Sequence, residues 1–480
     1  MLHVPILRAG RSYRSADRVV LRDVSSGTPV AEVSQANPGL IAHDFLGAAE
    51  RRRRLAERST AELLAACRRA ATIFAEGEVD LDPDQGTRQS AEDYVCCQSA
   101  STGIPRTLCR ANMEKVRFVL AEMERVLGGL TRGLDLRALD SGFAIQDGRT
   151  VSYLAQADQL GAVLPSNSPG VHALWIPAIA LKVPLALRPG REEPWTPLRI
   201  ARALVAAGVP AESFGFYPGD HAGATEILLR SLRSMMFGDA ATVAPWVGDG
   251  RVQVHGPGWS KVILGQDKVD AWESYLDLIV ASIADNGGRS CVNASGIWVP
   301  AHGRAIADAV ARRLAAIEAR PLDDPEARLA AFPHPEVARR VSAFLDEQLR
   351  RGGATDLTAA YRGTERVVEV GGATFLLPTL VWCDEPGHPL AATELLFPFA
   401  SVVEVPQAEL LERIGPTLVA SAITEDPQLA AQLMTCRHID RLNLGEVPTC
   451  CVSWDQPHEG NLFEHLYRRR AFQSARLPAA

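Results

Sequence analysis

The sequence predicts an α/β chain built on parallel sheets, and three observations carry that prediction. From Gly161 onward, short apolar runs alternate with helical stretches; the first third of the chain is mostly helical in pattern; and an Asp-Gly turn separates two strand-like runs where these regions meet. Alternating β and α segments imply a parallel sheet with helices on both faces, and such sheets bind ligands at the carboxyl ends of their strands.

In chain order, Ser59 followed by Glu62 is a capping box, and Leu63, Cys67, Ala70, Ala71 and Phe74 recur at helical spacing as far as Gly77. The basic run Glu50 to Ser59 just before it fits the solvated face of a helical region rather than a nucleic-acid patch. A second amphipathic stretch starts at Ala111 and is expected to end at the Gly128–Gly129 pair. Ser141 to Gln156, with Asp147-Gly148 in the middle, is a hairpin signature. Beyond it, "GAVLPS", "VPLALRP", "ESFGFYPG" and "SMMFG" read as strands, with "TPLRIARALVAAG" and "AGATEILLRSL" as helices between them. "AWESYLDLIVASIADNGG" then reads as helix, "ASGIWVP" as strand and "GRAIADAVARRLAAI" as helix. "ATFLLPTLVW", "FASVVEVP" and "TLVASAIT" complete the set as strands. The GxGxxG phosphate loop of dinucleotide-binding units is missing from the first of these regions.

The 480 residues are enough for two or three domains and a cleft between them. With 47% hydrophobic and 22% charged residues and a net charge of −7, the composition is that of a soluble globular protein and argues against a nucleic-acid surface. The strongest apolar stretch, Val171 to Leu187, is interrupted by Pro177, Lys182 and Pro184, so no membrane span is expected. The N-terminus is too short and interrupted for a signal peptide. Nine cysteines, an odd number without a CxxC pair, predict neither a disulfide framework nor a metal site, and point to the reducing cytoplasm.

One stretch raises a chemical question. "NGGRSCVNAS" (286–295) sets Cys291 behind two glycines and Arg289. A cysteine where a helix gives way to a strand is usually packing. A nucleophilic one needs donors or positive charge beside it and partial exposure, which the glycines and Arg289 are placed to supply.

Several stretches taken together resemble the aldehyde dehydrogenase superfamily. "LPSNSPGVHALWIPAIALKVPLALRPGREEPWTP" is similar to that family's asparagine–x–proline segment followed by its strand and lysine–proline motif, and "VPAESFGFYPGD" to the strand after it. "NGGRSCVNAS" resembles its cysteine motif with arginine for glutamine; "FLLPTLVW" and "TELLFPFASVVEV" resemble two later segments. The motifs occur in order from Gly161 to Tyr467, about two thirds of the chain.

The resemblance implies a Rossmann-like cofactor domain (1–140 and 159–254), an α/β catalytic domain (255–448) and a small β oligomerisation arm (141–158 and 449–480). The arm would pair subunits into a homodimer or homotetramer. It further implies Cys291 as nucleophile, with the Asn167 amide and the Cys291 backbone N–H holding the oxyanion. The cofactor, NAD or NADP, would be held by Ser166, Arg188 (where the family has lysine), Pro189, Glu192, Phe237 and Gly238. Glu394 would grip the nicotinamide ribose if "ELLFP" is laid on the family's "EIFGP", whereas another register keeps Phe397 and loses the glutamate. "FGDA" (237–240) departs from the family's phenylalanine–threonine–glycine–serine and loses a hydroxyl near the pyrophosphate. Glu192 and Glu193, just past Arg188, would disfavour a ribose phosphate.

In "VHGPGWSKVILGQD", Ser260 and Asp267 match the family pattern, and His255 falls where hydrolytic members carry their general-base glutamate. The chain is in this respect most like members that exchange the acyl group with coenzyme A or reduce an acyl thioester. Thiolysis needs less base assistance than hydrolysis, because a thiol is more acidic than water. Three functions stay open: interconversion of an aldehyde and an acyl thioester with coenzyme A as candidate co-substrate, hydrolytic aldehyde oxidation with His255 as base, and a silent oligomer. Trp175, Trp259, Phe399, Trp454 and Phe463 are candidates to line an apolar substrate tunnel.

Overall fold

Five strands lie parallel at the heart of the first sheet, in the order Val252–His255, Arg233–Phe237, Leu160–Val163, Leu185–Arg188 and Phe214–Phe216. Ile6–Arg8 pairs antiparallel with the last of them and carries Arg11–Tyr13 at the outer edge. The computed structural model describes residues 1–475. A second seven-stranded sheet runs Ala354–Asp356, Thr379–Cys383, Phe399–Glu404, Ala294–Val299, Ser260–Leu264, Thr417–Ile423 and Ile439–Leu444. It is parallel except at Ala354–Asp356. Every residue of Ala294–Val299 and Thr417–Ile423 is buried, as expected of strands covered on both faces. The α/β architecture predicted from the sequence is the one observed.

His255 ends the last strand of the first sheet and Ser260 opens a central strand of the second. Only four residues separate the sheets there, so the first sheet's carboxyl edge and the Cys291 loop are held close together.

The Asp-Gly hairpin forms as expected: Phe143–Gln146 and Arg149–Ala155 pair across Asp147 (φ 50°) and Gly148 (φ 74°), the backbone a primed turn requires. Tyr467–Arg470 adds a third strand antiparallel to Arg149–Ala155. Residues 476–480 of the expected arm lie outside the described residues.

Elsewhere the chain differs from its local pattern. The first 34 residues, expected to belong to a mostly helical third, form five strands instead, because Ile6–Arg8 completes a sheet edge no local signal reveals. The helix expected to run from Ala111 to Gly128 is two, Arg106–Ala121 and Met123–Leu130, broken at Glu122. The glycine pair lies inside the second helix. There Gly129 leaves room for the backbone of Asp455, which a Cβ would overlap. The single strand expected over "ATFLLPTLVW" divides into Ala373–Leu376 and Thr379–Cys383 around Pro378, which has no N–H for a ladder. Among the described residues no helix is long and apolar enough to cross a membrane.

Candidate active site

The Cys291 loop is built by backbone geometry. Helix Leu276–Ala284 gives way to Asn286, Gly287 and Gly288, all left-handed at φ 55°, 66° and 67°. Glycine is needed at 288, where a Cβ would overlap the backbone of Phe397 and Pro398. Asn293 closes the loop, accepting from the Ser290 N–H at 3.0 Å and donating to the carbonyls of Ser282 and Asp285. Ser260 Oγ donates to the Cys291 carbonyl at 2.8 Å, and Gly258 packs so closely on that carbonyl that no side chain fits. The second sheet thus fixes the cysteine's main chain.

Asn167 meets this loop from the first sheet, donating from Nδ2 to the Arg289 carbonyl at 2.6 Å. An amide carries two N–H groups, so one stays free for an oxyanion. Arg289 does not act as its sequence position suggested. Its guanidinium donates to the Ala331 carbonyl and packs over the Phe332 ring at 4.9 Å, and burial lowers its pKa to about 10. The Cys291 thiol is pushed well above its ordinary pKa, first by burial and then by the negative charges of Glu459 and Glu394.

His255 and Phe237 are register partners on adjacent parallel strands, and their rings stack at 4.3 Å and 11°. His255 Nδ1 lies 2.5 Å from Glu459 Oε2, while Nε2 is buried without a partner among the described residues. The His458 ring lies nearly parallel to that of His255, centroids 6.2 Å and planes 13° apart, with Nδ1 also buried and unpartnered among the described residues. Burial, above all, holds the His458 pKa well below 6.5, so this ring is neutral at pH 7. His255, His458 and Glu459 present donor atoms within 4.8 Å of one another, a set able to hold a metal ion that the sequence reading did not foresee. Neither His458 nor Glu459 was singled out from the sequence. The available signal was the "PHEG" turn, where Glu459 adopts a left-handed φ of 49°.

On the opposite side, Arg188 ends its strand with its guanidinium donating twice to the Gly219 carbonyl, at 3.1 and 2.9 Å. Arg188, Pro189, Arg191, Pro218 and Gly219 line a 240 Å³ cavity at the carboxyl ends of parallel strands, where such sheets take nucleotides. Glu192 and Glu193 do not face it. Glu192 reaches His334 at 3.1 Å, and its backbone N–H donates to Ser166 Oγ at 3.2 Å. Glu193 is sealed in the core by Gln98, Thr196 and His172. Phe237 and Gly238 sit at the strand end beside His255, followed by Asp239, whose carboxylate accepts from the Thr242 N–H. Glu394 Oε2 accepts from the backbone N–H groups of Gly258 at 2.9 Å and Trp259 at 2.6 Å, and burial raises its pKa to about 7. One oxygen of the carboxylate expected to grip a ribose is therefore engaged by the 256–259 turn.

Cys291 lines a cavity of 140 Å³ together with Val171, Leu174, Val292, Val452 and Trp454, and with Lys115 and His458. Of the five aromatic residues offered as tunnel wall, only Trp454 lines it. Trp175, Phe399 and Phe463 are core, at 0%, 2% and 4% exposure.

These features are those of an aldehyde dehydrogenase fold, and the sequence pattern of the aldehyde dehydrogenase family matches residues 87–415. The chain belongs to that family. It is 29% identical over 264 residues to the aminoacetaldehyde dehydrogenase of Pseudomonas aeruginosa, covering 51% of this chain and 49% of that protein. To the non-phosphorylating aspartate-semialdehyde dehydrogenase of Halomonas elongata it is 26% identical over 232 residues, 45% of each. The chain thus spans about half the length of these curated relatives. In structure it resembles the aldehyde dehydrogenase KauB from Pseudomonas aeruginosa (TM-score 0.78, 16% identity, 98% of this chain and 96% of that one). It also resembles succinate-semialdehyde dehydrogenase from Burkholderia pseudomallei (TM-score 0.75, 16% identity, 98% and 97%).

Proposed function

We propose that this chain oxidises an aldehyde to a carboxylic acid through a thioester on Cys291, with NAD or NADP as co-substrate and His255 as the base that admits water. The observation that carries this reading is the His255–Glu459 pair. A carboxylate on Nδ1 fixes the imidazole tautomer that leaves Nε2 unprotonated and able to take a proton, and Nε2 is the atom left without a partner. The carboxylate missing at position 255 is in effect returned one residue further out.

The cofactor's fit is supported by the Arg188–Arg191 cavity at the strand ends. Arg188, Pro189 and Arg191 would hold its adenosine half, with Ser166 supporting the loop behind them and Glu394 and Phe237 bordering the nicotinamide side. When bound, it supplies the hydride acceptor that converts thiohemiacetal to thioester. The chain's own residues do the rest. The Cys291 sulfur bonds to the aldehyde carbon as its proton leaves to solvent, and the oxygen develops charge toward the free Asn167 N–H. In the second half, His255 Nε2 takes a proton from water as the oxygen attacks the thioester, and Cys291 leaves as thiolate.

A second reading, acyl transfer to coenzyme A, is favoured by the lack of a carboxylate on residue 255 itself. One experiment separates the two: mix enzyme, aldehyde and cofactor rapidly, with and without coenzyme A, and follow the reduced cofactor. Steady turnover without coenzyme A supports hydrolysis. A single burst that becomes turnover only when coenzyme A is added supports acyl transfer. The silent-oligomer alternative predicts no burst at all.

A further inference from the structure

We propose that the cavity beside Cys291 takes a short aldehyde carrying a carboxylate at its far end, and that Lys115 receives that carboxylate; this rests on the reading of Cys291 as nucleophile. The chain has four lysines. Lys182 pairs with Asp140 and Lys268 with Glu425, while Lys261 donates to the Trp259 and Pro416 carbonyls and to Thr417 Oγ1. Lys115, on helix Arg106–Ala121, has one acceptor, Asn112 Oδ1 at 3.3 Å, and no ion pair among the described residues.

An ammonium carries three N–H donors, so most of its hydrogen-bonding capacity is unspent in a half-buried place, where unmet polar groups are costly. Lys115 is the one formally charged side chain lining this cavity among the described residues. The acidic groups that act on it, Cys450 and Asp285, are bonded to each other, the thiol to Asp285 Oδ2 at 3.3 Å. Burial lowers the pKa of Lys115, which a bound carboxylate would oppose.

The surroundings suit a carboxylate. Ser168 Oγ accepts from Asn286 Nδ2 at 3.2 Å, which leaves its own O–H to donate into the cavity it lines. Asn112 accepts from Lys115 through Oδ1 while its Nδ2 donates to Asn286 Oδ1 at 2.7 Å. The ammonium and the serine are thereby fixed by one relay. Val171, Leu174, Val292, Val452 and Trp454 give the same cavity the apolar wall that a few methylenes need. An aldehyde with a distal ammonium would be repelled by the same lysine.

The test compares kcat/KM for succinic semialdehyde, butyraldehyde and aminoacetaldehyde in wild type, Lys115→Met and Lys115→Arg, and measures succinate binding to each by calorimetry. The expected result is a wild-type preference for succinic semialdehyde over both others. Lys115→Met should lower the succinic semialdehyde to butyraldehyde ratio by about 10–100-fold and weaken succinate by a similar factor, with Lys115→Arg recovering part of each. Equal losses for charged and neutral substrates, or succinate binding that ignores Lys115, would overturn the proposal. If no aldehyde turns over yet succinate still binds through Lys115, the carboxylate site stands and the role given to Cys291 falls.

Discussion

The carboxylate of Glu459 meets Nδ1 of His255 at 2.5 Å across 204 residues of sequence. The contact joins the C-terminal segment to an edge strand of the first sheet, and Phe237 stacks on the imidazole. A positioned base of this kind contributes about 10²–10⁴-fold to a proton-transfer step. His255→Gln should therefore cut steady-state turnover by that order while sparing the first burst of reduced cofactor. On the proposed role of His255, Glu459 would act through the histidine, so Glu459→Gln should move the pH profile of deacylation as well as lower its rate, and Glu459→Asp should restore part of both. Steady turnover by His255→Gln would remove the base from this residue.

The three donors of His255, His458 and Glu459 lie close enough to bind a metal, yet the shortest contact among them is the histidine–carboxylate hydrogen bond itself. A relay of this kind needs no ion. Prolonged dialysis against a chelator should leave both the burst and the steady rate within about twofold; loss of activity that zinc restores would make the cluster a metal centre.

Glu394 is a buried carboxyl whose pKa rises from 4.5 to about 7. The folded protein holds this proton more tightly than the unfolded chain, so folding is favoured below pH 4.5 and that contribution is lost as pH rises toward 7. A shift of this size corresponds to roughly 3 kcal/mol. A glutamine retains a carbonyl oxygen for the N–H groups of Gly258 and Trp259. Glu394→Gln should accordingly raise the melting temperature at pH 8 and leave it nearly unchanged at pH 4.5. The reverse order in a thermal melt series would show that the carboxylate is stabilised by these donors rather than strained by burial.

Much of this site was legible in the sequence, but unevenly. Cys291, Asn167 and Arg188 are picked out by the resemblance of their motifs to the family's, whereas local patterns alone read the cysteine as packing and the asparagine as a turn residue. The partner of His255 is picked out by neither, since nothing short-range ties Glu459 to a strand two hundred residues away. Lys115 reads as an ordinary polar position on an amphipathic helix until the Cys291 loop packs against it. Arg289 and Glu193 show the opposite error. Each was given a role by its neighbours in sequence, and each has its side chain drawn elsewhere, by the Ala331 carbonyl and by the buried Gln98–Thr196–His172 cluster.

Cofactor choice follows from that correction. With Glu192 and Glu193 turned away, the charged groups at the 240 Å³ cavity include Arg188 and Arg191, offset by Asp220. Arg188 is already tied to the Gly219 carbonyl, which leaves Arg191 to meet a ribose phosphate. A charged hydrogen bond of about 1.5–3 kcal/mol is worth about 10–100-fold in affinity. NADP should be preferred over NAD by that order, and Arg191→Glu should invert the preference; equal kcat/KM for the two cofactors in wild type would refute it.

The segment that the family resemblance assigns as an oligomerisation arm offers a test at the level of assembly. Phe143–Gln146 is one of the two outer strands of its three-stranded sheet, with Ile145 at 53% exposure. Leu154, on the neighbouring strand, is also exposed. An unpaired apolar edge is a template for another chain, and a second copy would cover it by continuing the sheet. Light scattering should give a dimer or tetramer for wild type and a smaller species for Ile145→Lys, since a charge on an edge strand blocks such pairing. A wild-type monomer would leave this edge without its partner.

The resting thiol supplies the last expectation. Burial and the charges of Glu459 and Glu394 hold Cys291 in its protonated form, and a thiol, unlike a thiolate, is a poor nucleophile. Cys291 should therefore alkylate slowly with iodoacetamide at pH 7 in the free protein, while the exposed Cys451 is labelled first. The nicotinamide ring of a bound cofactor carries positive charge in its oxidised form and would oppose both carboxylates, so adding oxidised cofactor should accelerate Cys291 labelling and the reduced form should not. Peptide mass mapping with each form reads the difference directly. Equal labelling under the two conditions would mean that the thiol is activated by the aldehyde alone, and would place the proton's departure after substrate binding.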